Sequence, residues 1–158
     1  MYKPGDLIFV RPNGLLFNLV RYFTSGKYGH VGIVAGYIEG HVLIIEATKH
    51  GIDQNDLIWR KVKKEKFDIY RIQCIDDEKR RELVVKCLSY VGLPYDKKAW
   101  LNFIIGSTAF GTDKKMYCSE MIYRALVDLE IVKSEYHPEK ITPANLHKLL
   151  NKQITRVM

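Results

Sequence analysis

The sequence has few cysteines, and their spacing fits neither a metal site nor a redox pair. The three, Cys74, Cys87 and Cys118, are an odd number, which excludes a fully paired disulfide framework. Free thiols of this kind are typical of proteins in a reducing compartment. The first residues also lack an apolar segment behind a charged start, so the sequence predicts no secretory signal and a cytoplasmic protein.

Long hydrophobic runs are missing as well. A membrane-spanning helix needs about 20 consecutive apolar residues, and the run from Leu15 to Phe23 is interrupted by Asn18 and Arg21. No internal repeat and no low-complexity linker divides the 158 residues, of which 47% are hydrophobic. We therefore expect no membrane span and a single domain over residues 1–158.

Positive charge is in excess, with a formal net charge of +7. Such an excess is compatible with binding to nucleic acid, anionic lipid or an acidic polymer, and charge alone does not choose among these partners. The densest basic stretch covers residues 60–66, and we interpret it as the solvated face of a loop or hairpin. Because no recognition helix, zinc-finger spacing or ribonucleoprotein motif accompanies it, we expect no nucleic-acid partner.

Hydrophobic periodicity predicts both strands and helices, which is typical of a protein of the α+β class. Strands are predicted at residues 6–10, 30–35, 41–47 and 67–75. Helices are predicted at residues 13–25, from 76 to 92, at 119–131 and from 142 onward. Alternation along the strand at 67–75 places Cys74 in the core, and Cys87 belongs to the apolar stripe of the second helix.

The strands at 30–35 and 41–47 form a predicted hairpin whose connection contains Gly36 and Gly40. If these two glycines oppose each other, His30 lies directly opposite Glu46. This register places the imidazole and the carboxylate side by side on one face of the sheet.

Cys118 lies at the predicted start of a helix, after a loop. The unpaired N–H groups and the dipole at such a position stabilise a thiolate, which is the nucleophilic form of cysteine. The same N–H groups can receive an oxyanion, and removing one such donor typically costs about 3 kcal/mol of transition-state stabilisation. The alternative interpretation is that Cys118 is a small buried hydrophobe, which is the usual role of a free cysteine.

His30 and Glu46 are the groups that would complete a nucleophilic site. A carboxylate inside the apolar segment 42–47 is hard to explain as core filling. If it accepts a hydrogen bond from Nδ1 of His30, it can stay charged and fix the imidazole tautomer. Cysteine, histidine and an orienting acid form a triad. The alternatives are a structural histidine and a glutamate that faces water at a strand end.

A metal bound by Cys118, His30 and Glu46 would lack a fourth ligand in this sequence. We therefore expect no metal and no cofactor. The remaining histidines lie in predicted turns, loops or the last helix, and we assign them no chemistry.

Four short motifs resemble those of the NlpC/P60 hydrolases. Residues 4–9 (Pro-Gly-Asp-Leu-Ile-Phe) and 29–33 (Gly-His-Val-Gly-Ile) resemble the half of that family that carries the catalytic histidine. Residues 92–95 (Gly-Leu-Pro-Tyr) and the Cys118-Ser119 pair resemble the nucleophile half. Here the histidine half comes first, an order that resembles the circularly permuted branch, the YiiX/YebB-like proteins and the related lecithin:retinol acyltransferases. The resemblance implies a permuted papain-like fold, in which an antiparallel sheet or barrel packs against helices.

The resemblance also implies roles for individual residues. Cys118 would be the nucleophile, His30 the general base and then acid, and Glu46 the residue that orients His30. Tyr95 matches a family tyrosine whose hydroxyl assists the oxyanion, although residues 96–115 separate it from the cysteine here.

Two positions beside Cys118 depart from ordinary members of the family. Tyr117 stands where those proteins often have aspartate, and Glu120 follows Ser119, as is typical of the permuted branch. We expect Tyr117 to lie, with Tyr95, in the oxyanion or substrate-binding part of the site.

The predicted function is that of a cysteine hydrolase that cleaves amide bonds of small peptides, such as cell-wall fragments, through an acyl-enzyme. The alternatives are a lipid-directed thioesterase or acyltransferase of the same fold and a binding module without turnover. For the lipid alternative, apolar residues of the segment 96–115 would line a groove: Leu101, Phe103, Ile104, Ile105 and Phe110. The sequence does not indicate the oligomeric state.

Overall fold

The computed structural model describes residues 2–11, 26–95 and 116–158. The helix predicted at 13–25 and the apolar residues of 96–115 lie outside these ranges. The described strands are β1 (Leu7–Val10), β2 (His30–Ile38), β3 (His41–Thr48), β4 (Gly51–Asp56), β5 (Phe67–Ile72) and β6 (Ile154–Arg156). The described helices are α1 (Ile58–Val62), α2 (Asp77–Leu88), α3 (Cys118–Asp128) and α4 (Pro143–Leu150), with a 3₁₀ turn at Pro138–Lys140.

The six described strands form one sheet in the order β4-β3-β2-β1-β5-β6, and each neighbouring pair is antiparallel. On one side, alternate strand residues such as Leu7 and Phe9 pack with α2, α3 and α4 in the larger core cluster. On the other side, Ile8 and Val10 belong to a smaller cluster that includes Leu57. The predicted α+β class with an antiparallel sheet is confirmed.

The motif at residues 4–9 forms the turn into β1 and anchors it. Gly5 has φ of +86°, a conformation that glycine adopts without strain, and its N–H donates to the carbonyl of Val34 at 2.9 Å. The next residue, Asp6, is fully buried, and its carboxylate accepts two hydrogen bonds of 2.8 Å from Arg71. The buried charge is therefore paired, as burial requires.

Capping residues mark the helices that the sequence predicted. The side chain of Asp76 accepts from the N–H of Lys79 at the start of α2, and Thr142 accepts from Asn145 at the start of α4. Helix α3 is apolar on most sides, and its Ile122, like Cys87 of α2, is fully buried. No helix among the described residues is long and apolar enough to cross a membrane.

The register predicted for the hairpin is wrong by two residues. Glu46 lies opposite Gly32 rather than His30, because the strands extend to a tight turn at residues 39–40 and a register shift follows Val34. A shift of two residues preserves the side of the sheet on which a side chain lies. His30 and Glu46 therefore still lie on the same face of the sheet, as predicted, despite the wrong register.

Two further predictions need correction. Cys74 is exposed rather than in the core, because β5 ends at Ile72 and the alternation stops there. The basic stretch at residues 60–66 begins within helix α1 rather than forming a loop or hairpin face, and Arg60 is turned inward. Strands β4 and β6 were not predicted.

Candidate active site

Cys118 is the first residue of α3, and its side chain is 5% exposed. Tyr117 precedes it in an extended conformation and is the N-cap residue. The backbone N–H groups of Val31 in β2 and Ser119 in the first helical turn donate to the cysteine sulfur. The predicted helix start therefore lies against the predicted histidine strand, and it provides donors that favour a thiolate.

His30 and Glu46 are in direct contact. Nε2 of His30 lies 2.7 Å from Oε2 of Glu46. The nitrogen differs from the predicted Nδ1, so that Nδ1 is the ring nitrogen left to exchange a proton with the thiol of Cys118. Gly32 makes room for this pair, because a Cβ at that position would lie 3.3 Å from Cβ of Glu46 and 3.1 Å from the carbonyl oxygen of Ile45.

The three groups shift one another's pKa values. Burial would lower the pKa of His30, but the charge and hydrogen bond of Cys118, followed by those of Glu46, raise it to about 9. Burial would raise the pKa of the Cys118 thiol, but the charge and hydrogen bond of His30 lower it. Both directions favour a thiolate and an imidazolium at neutral pH.

Glu46 stays ionised in this site. Burial would raise its pKa, but the hydrogen bond and charge of His30, together with Arg60, lower it to about 2. Because the carboxylate carries a full negative charge and shares Oε2 with the imidazole, it stabilises the protonated ring.

Arg60 is the member of this cluster that sequence reasoning missed. Its guanidinium donates through Nη2 to Oε2 of Glu46 and through Nη1 to Oε2 of Glu65. It lies within the basic stretch 60–66, where each positive residue looks alike in the sequence. No local sequence pattern distinguishes it, because its inward orientation comes from its contact with Glu46 in another part of the chain.

Tyr95 lies next to the nucleophile segment despite the 20 residues between them. It forms a parallel bridge with Met116, two residues before Cys118, and its side chain is partly buried against the core. The N–H of Met116 donates to the carbonyl of Pro94 at 3.3 Å. Strand β4 holds the same loop, because Ile52 and the segment 92–93 exchange two backbone hydrogen bonds of 2.9 Å.

The residues around Cys118 fix the start of α3. The hydroxyl of Tyr117 donates to the carbonyl of Pro138 at 3.3 Å, and Oγ of Ser119 donates to the carbonyl of Ile141 at 2.7 Å. Tyr117 is buried, and burial raises the pKa of its phenol. A contact of Tyr117 with substrate stays a prediction.

The other two cysteines have different surroundings. Cys87 is fully buried in the core, and burial raises its pKa to about 12, so it stays a thiol. Cys74 is exposed, and its sulfur lies 3.4 Å from the side-chain oxygen of Gln153. Across residues 2–11, 26–95 and 116–158, no three histidine, cysteine or acidic side chains converge in a metal-binding arrangement.

Comparison with solved structures shows the fold of this chain. The crystal structure of metalloprotein yiiX from Escherichia coli O157:H7 aligns with a TM-score of 0.74 at 16% sequence identity, and the alignment covers 99% of this chain and 96% of that chain. At this identity the likeness is one of fold. No curated protein matches the sequence.

Comparison with protein families identifies the family of this chain. Residues 1–148 match the family described as "Permuted papain-like amidase enzyme, YaeF/YiiX, C92 family". This match covers most of the chain, including both halves of the site, and it agrees with the order of the histidine and cysteine segments. The chain therefore belongs to the family of permuted papain-like amidases.

Proposed function

We propose that this chain is a cysteine amidase in which Cys118 is the nucleophile, His30 the general base and acid, and Glu46 the residue that orients His30. One observation carries the proposal. The Cys118 sulfur, at a helix start, interacts with an imidazole whose Nε2 lies 2.7 Å from a buried carboxylate. Nucleophilic cysteine catalysis needs this combination of a stabilised thiolate and a nearby proton carrier.

In the proposed acylation step, the Cys118 thiolate attacks the carbonyl carbon of an amide, and a carbon–sulfur bond forms. The first-turn backbone N–H groups of α3, with the Tyr95 hydroxyl, would stabilise the oxyanion. The imidazolium of His30 then gives its proton to the leaving nitrogen, the carbon–nitrogen bond breaks, and an amine departs.

In the proposed deacylation step, neutral His30 accepts a proton from water, and the resulting hydroxide attacks the thioester carbon. The carbon–sulfur bond breaks, a carboxylic acid leaves, and the thiolate and imidazolium are restored. Glu46 keeps the ring in place through both steps, since its pKa of about 2 leaves it charged at any pH where the enzyme would work.

Small peptides are the substrate class that we propose, because the family is one of amidases. We propose that Tyr117, the N-cap residue of α3, lies beside Tyr95 at the edge of the substrate site. A core cluster that contains both Leu7 and Leu150 supports one domain over residues 1–158.

A metal does not fit this site. The related yiiX structure is described as that of a metalloprotein. Here Oε2 of Glu46 already accepts from the imidazolium of His30 and from the guanidinium of Arg60, and a further cation at that oxygen would be repelled. We therefore derive no step through a metal.

Thiol alkylation tests the proposed nucleophile without knowledge of the substrate. An ordinary thiol, with a pKa near 8.5, is almost entirely protonated at pH 6, whereas a thiolate paired with imidazolium is not. Iodoacetamide at pH 6 should therefore modify Cys118 at least about tenfold faster than the exposed Cys74. Peptide mapping by mass spectrometry measures both rates in one sample. Equal rates at the two residues would argue against a thiolate at Cys118.

Hydrolysis of fluorogenic peptide amides tests the proposed reaction. Wild type and Cys74→Ser should release the fluorophore, whereas Cys118→Ala and His30→Ala should not, and the acyl-enzyme should be visible by intact mass in wild type. Release by the Cys118→Ala variant at the wild-type rate would refute the assignment.

A further inference from the structure

Helix α1 turns its apolar residues to the solvent and its arginine to the protein. Ile58, Trp59 and Val62 are 48%, 59% and 64% exposed, whereas Arg60 reaches inward to Glu46. At about 100° per residue, the three apolar side chains share one outward arc, and Arg60 lies on the opposite side. A helix of a globular protein normally has the reverse arrangement, with its apolar residues in the core.

Three exposed lysines accompany this apolar arc, one on the helix and two directly after it. We name the α1 patch by its six exposed residues: Ile58, Trp59, Lys61, Val62, Lys63 and Lys64. None of its three lysines forms an ion pair with a carboxylate in the part of the chain that the structure describes. The two carboxylates that flank the helix are engaged, because Glu65 binds Arg60 and Asp56 binds His41.

We propose that the α1 patch docks this protein on the surface of an anionic lipid bilayer. Tryptophan and aliphatic side chains insert at the boundary between headgroups and acyl chains, while lysines around them bind anionic headgroups. The three lysines of the patch and the net charge of +7 supply the charge complementarity. Contiguous exposed apolar side chains with a polar rim are typical of an interaction site.

Other macromolecules fit the α1 patch less well. Lysine is depleted at the interfaces of protein complexes, and here it makes up half of the patch. Nucleic acid would use the lysines but would leave the aliphatic side chains of Ile58 and Val62 exposed to water.

Docking through α1 would hold the candidate active site close to the bilayer. The helix that carries the exposed Trp59 also carries Arg60, and the guanidinium of Arg60 binds the carboxylate that contacts His30. The proposal does not depend on catalysis, because it concerns exposed side chains that touch none of the reacting groups.

Vesicle co-sedimentation tests the role of the lysines. Wild type should bind vesicles of phosphatidylcholine with phosphatidylglycerol far better than vesicles of phosphatidylcholine alone, and added salt should weaken the binding. The double variant Lys63→Glu, Lys64→Glu should reduce the partition coefficient at least about tenfold. The control Lys148→Glu, Lys152→Glu has the same net charge and changes exposed residues elsewhere, so it should keep most of the binding.

A pair of matched valine variants tests insertion. Val62 and Val85 are 64% and 63% exposed, but Val85 lies on α2. Val62→Ser should weaken binding several-fold, and Val85→Ser should not. In a Trp100→Phe background, which leaves Trp59 as the only tryptophan, emission should shift to the blue with anionic vesicles.

Three results would overturn the proposal. The first is equal or absent binding to both kinds of vesicle at low salt. The second is an equal loss of binding in the lysine variant and its charge-matched control. The third is identical binding of the Val62 and Val85 variants, since docking without insertion would not involve the apolar arc. Circular dichroism of each variant ensures that folded proteins are compared.

Discussion

Glu46 connects two cations through a single oxygen atom. Its Oε2 accepts from Nε2 of His30 and from the guanidinium of Arg60, and the carboxylate is almost fully buried. A buried carboxylate is stable only when its charge is paired and hydrogen-bonded. The charge of this one residue therefore determines how strongly the neighbouring imidazole holds its proton.

Removal of that charge should narrow the pH range of a reactive thiolate. In Glu46→Gln the imidazolium loses its counter-charge, so the pKa of His30 falls from about 9 and the pKa of Cys118 rises. We expect the onset of Cys118 alkylation to move to higher pH by about one unit or more. The pH profile of the iodoacetamide rate measures this shift.

The matched control for this variant is Asp56→Asn. Asp56 of β4 binds His41 of β3 in an exposed pair of a carboxylate and an imidazole. Asp56→Asn should leave the pH profile of Cys118 alkylation unchanged. An unchanged profile in Glu46→Gln as well, with the variant folded, would contradict the role of Glu46.

Arg60→Met should destabilise the protein without the loss of much packing. The variant retains an unbranched side chain but removes the charged hydrogen bond to the buried Glu46, worth about 2 kcal/mol, and one to the more exposed Glu65, which solvent screening makes worth little. We expect a loss of about 2 kcal/mol in the free energy of unfolding by urea. Lys61→Met, an exposed neighbour on the same helix, should change it by less than about 0.5 kcal/mol.

Strand β4 braces the loop that carries Tyr95. Gly51 begins the strand with φ of +126°, and a Cβ there would come within 2.7 Å of the carbonyl oxygen of Leu93. Ile52 and the loop then exchange backbone hydrogen bonds. The close approach of two backbones requires glycine at position 51.

Three glycine-to-alanine variants separate the cost of the positive φ at Gly51 from the cost of the clash with the carbonyl oxygen of Leu93. Gly36 has no positive φ, and a Cβ at that position would have no atom within 4 Å. Gly40 has φ of +84°, but a Cβ there would also have no atom within 4 Å. We expect Gly36→Ala to be nearly neutral, Gly40→Ala to cost about 1 kcal/mol, and Gly51→Ala to cost about 3 kcal/mol because strain and clash add. Urea unfolding measures all three. Equal losses in the free energy of unfolding for Gly40→Ala and Gly51→Ala would mean that the loop at Leu93 moves away from the added Cβ at no cost.

The elements that could be predicted from the sequence are those whose packing is visible in their pattern. Strand β1 is a buried apolar run, and α2 and α4 carry capping residues. Strand β4 was missed because its last four residues are all polar, and backbone pairing with β3 holds it. A local pattern cannot reveal a partner that lies elsewhere in the chain.

The candidate site was predictable in its residue types but not in its geometry. The sequence pointed to Cys118, His30 and Glu46, and the structure brings these three together. The register shift after Val34 is an irregularity of the hairpin that the spacing of the glycines did not show. The use of Nε2 rather than Nδ1 of His30 is a feature of side-chain geometry that no sequence pattern reveals. The role of Arg60 could not be predicted, because tertiary packing decides which one of several neighbouring cations points inward.

On the scale of the whole molecule, burial and pairing shift the pKa values of three buried carboxylates in two opposite directions. Burial would raise the pKa of Asp68 and Glu46, but hydrogen bonds and neighbouring cations lower it in both. A lowered pKa contributes stability that is present above the unfolded value and is lost as pH falls through the folded one. These two residues should therefore make the protein lose stability only in strongly acidic solution.

The pKa of Glu120 shifts in the opposite direction, and this shift gives the molecule a stability that falls toward alkaline pH. Burial raises its pKa to about 7, even though Arg124 binds one of its oxygens at 3.0 Å. A raised pKa contributes stability that is complete below the unfolded value, near 4.5, and is lost as pH rises through 7. Glu120→Gln is neutral at every pH, so its free energy of unfolding relative to wild type should increase by about 3 kcal/mol between pH 4.5 and 8. Urea unfolding of both proteins across this pH range measures the difference in their free energies of unfolding. The contributions of all other titrating groups cancel in this difference. A constant difference would show that Glu120 is ionised throughout, with Arg124 outweighing the cost of burial.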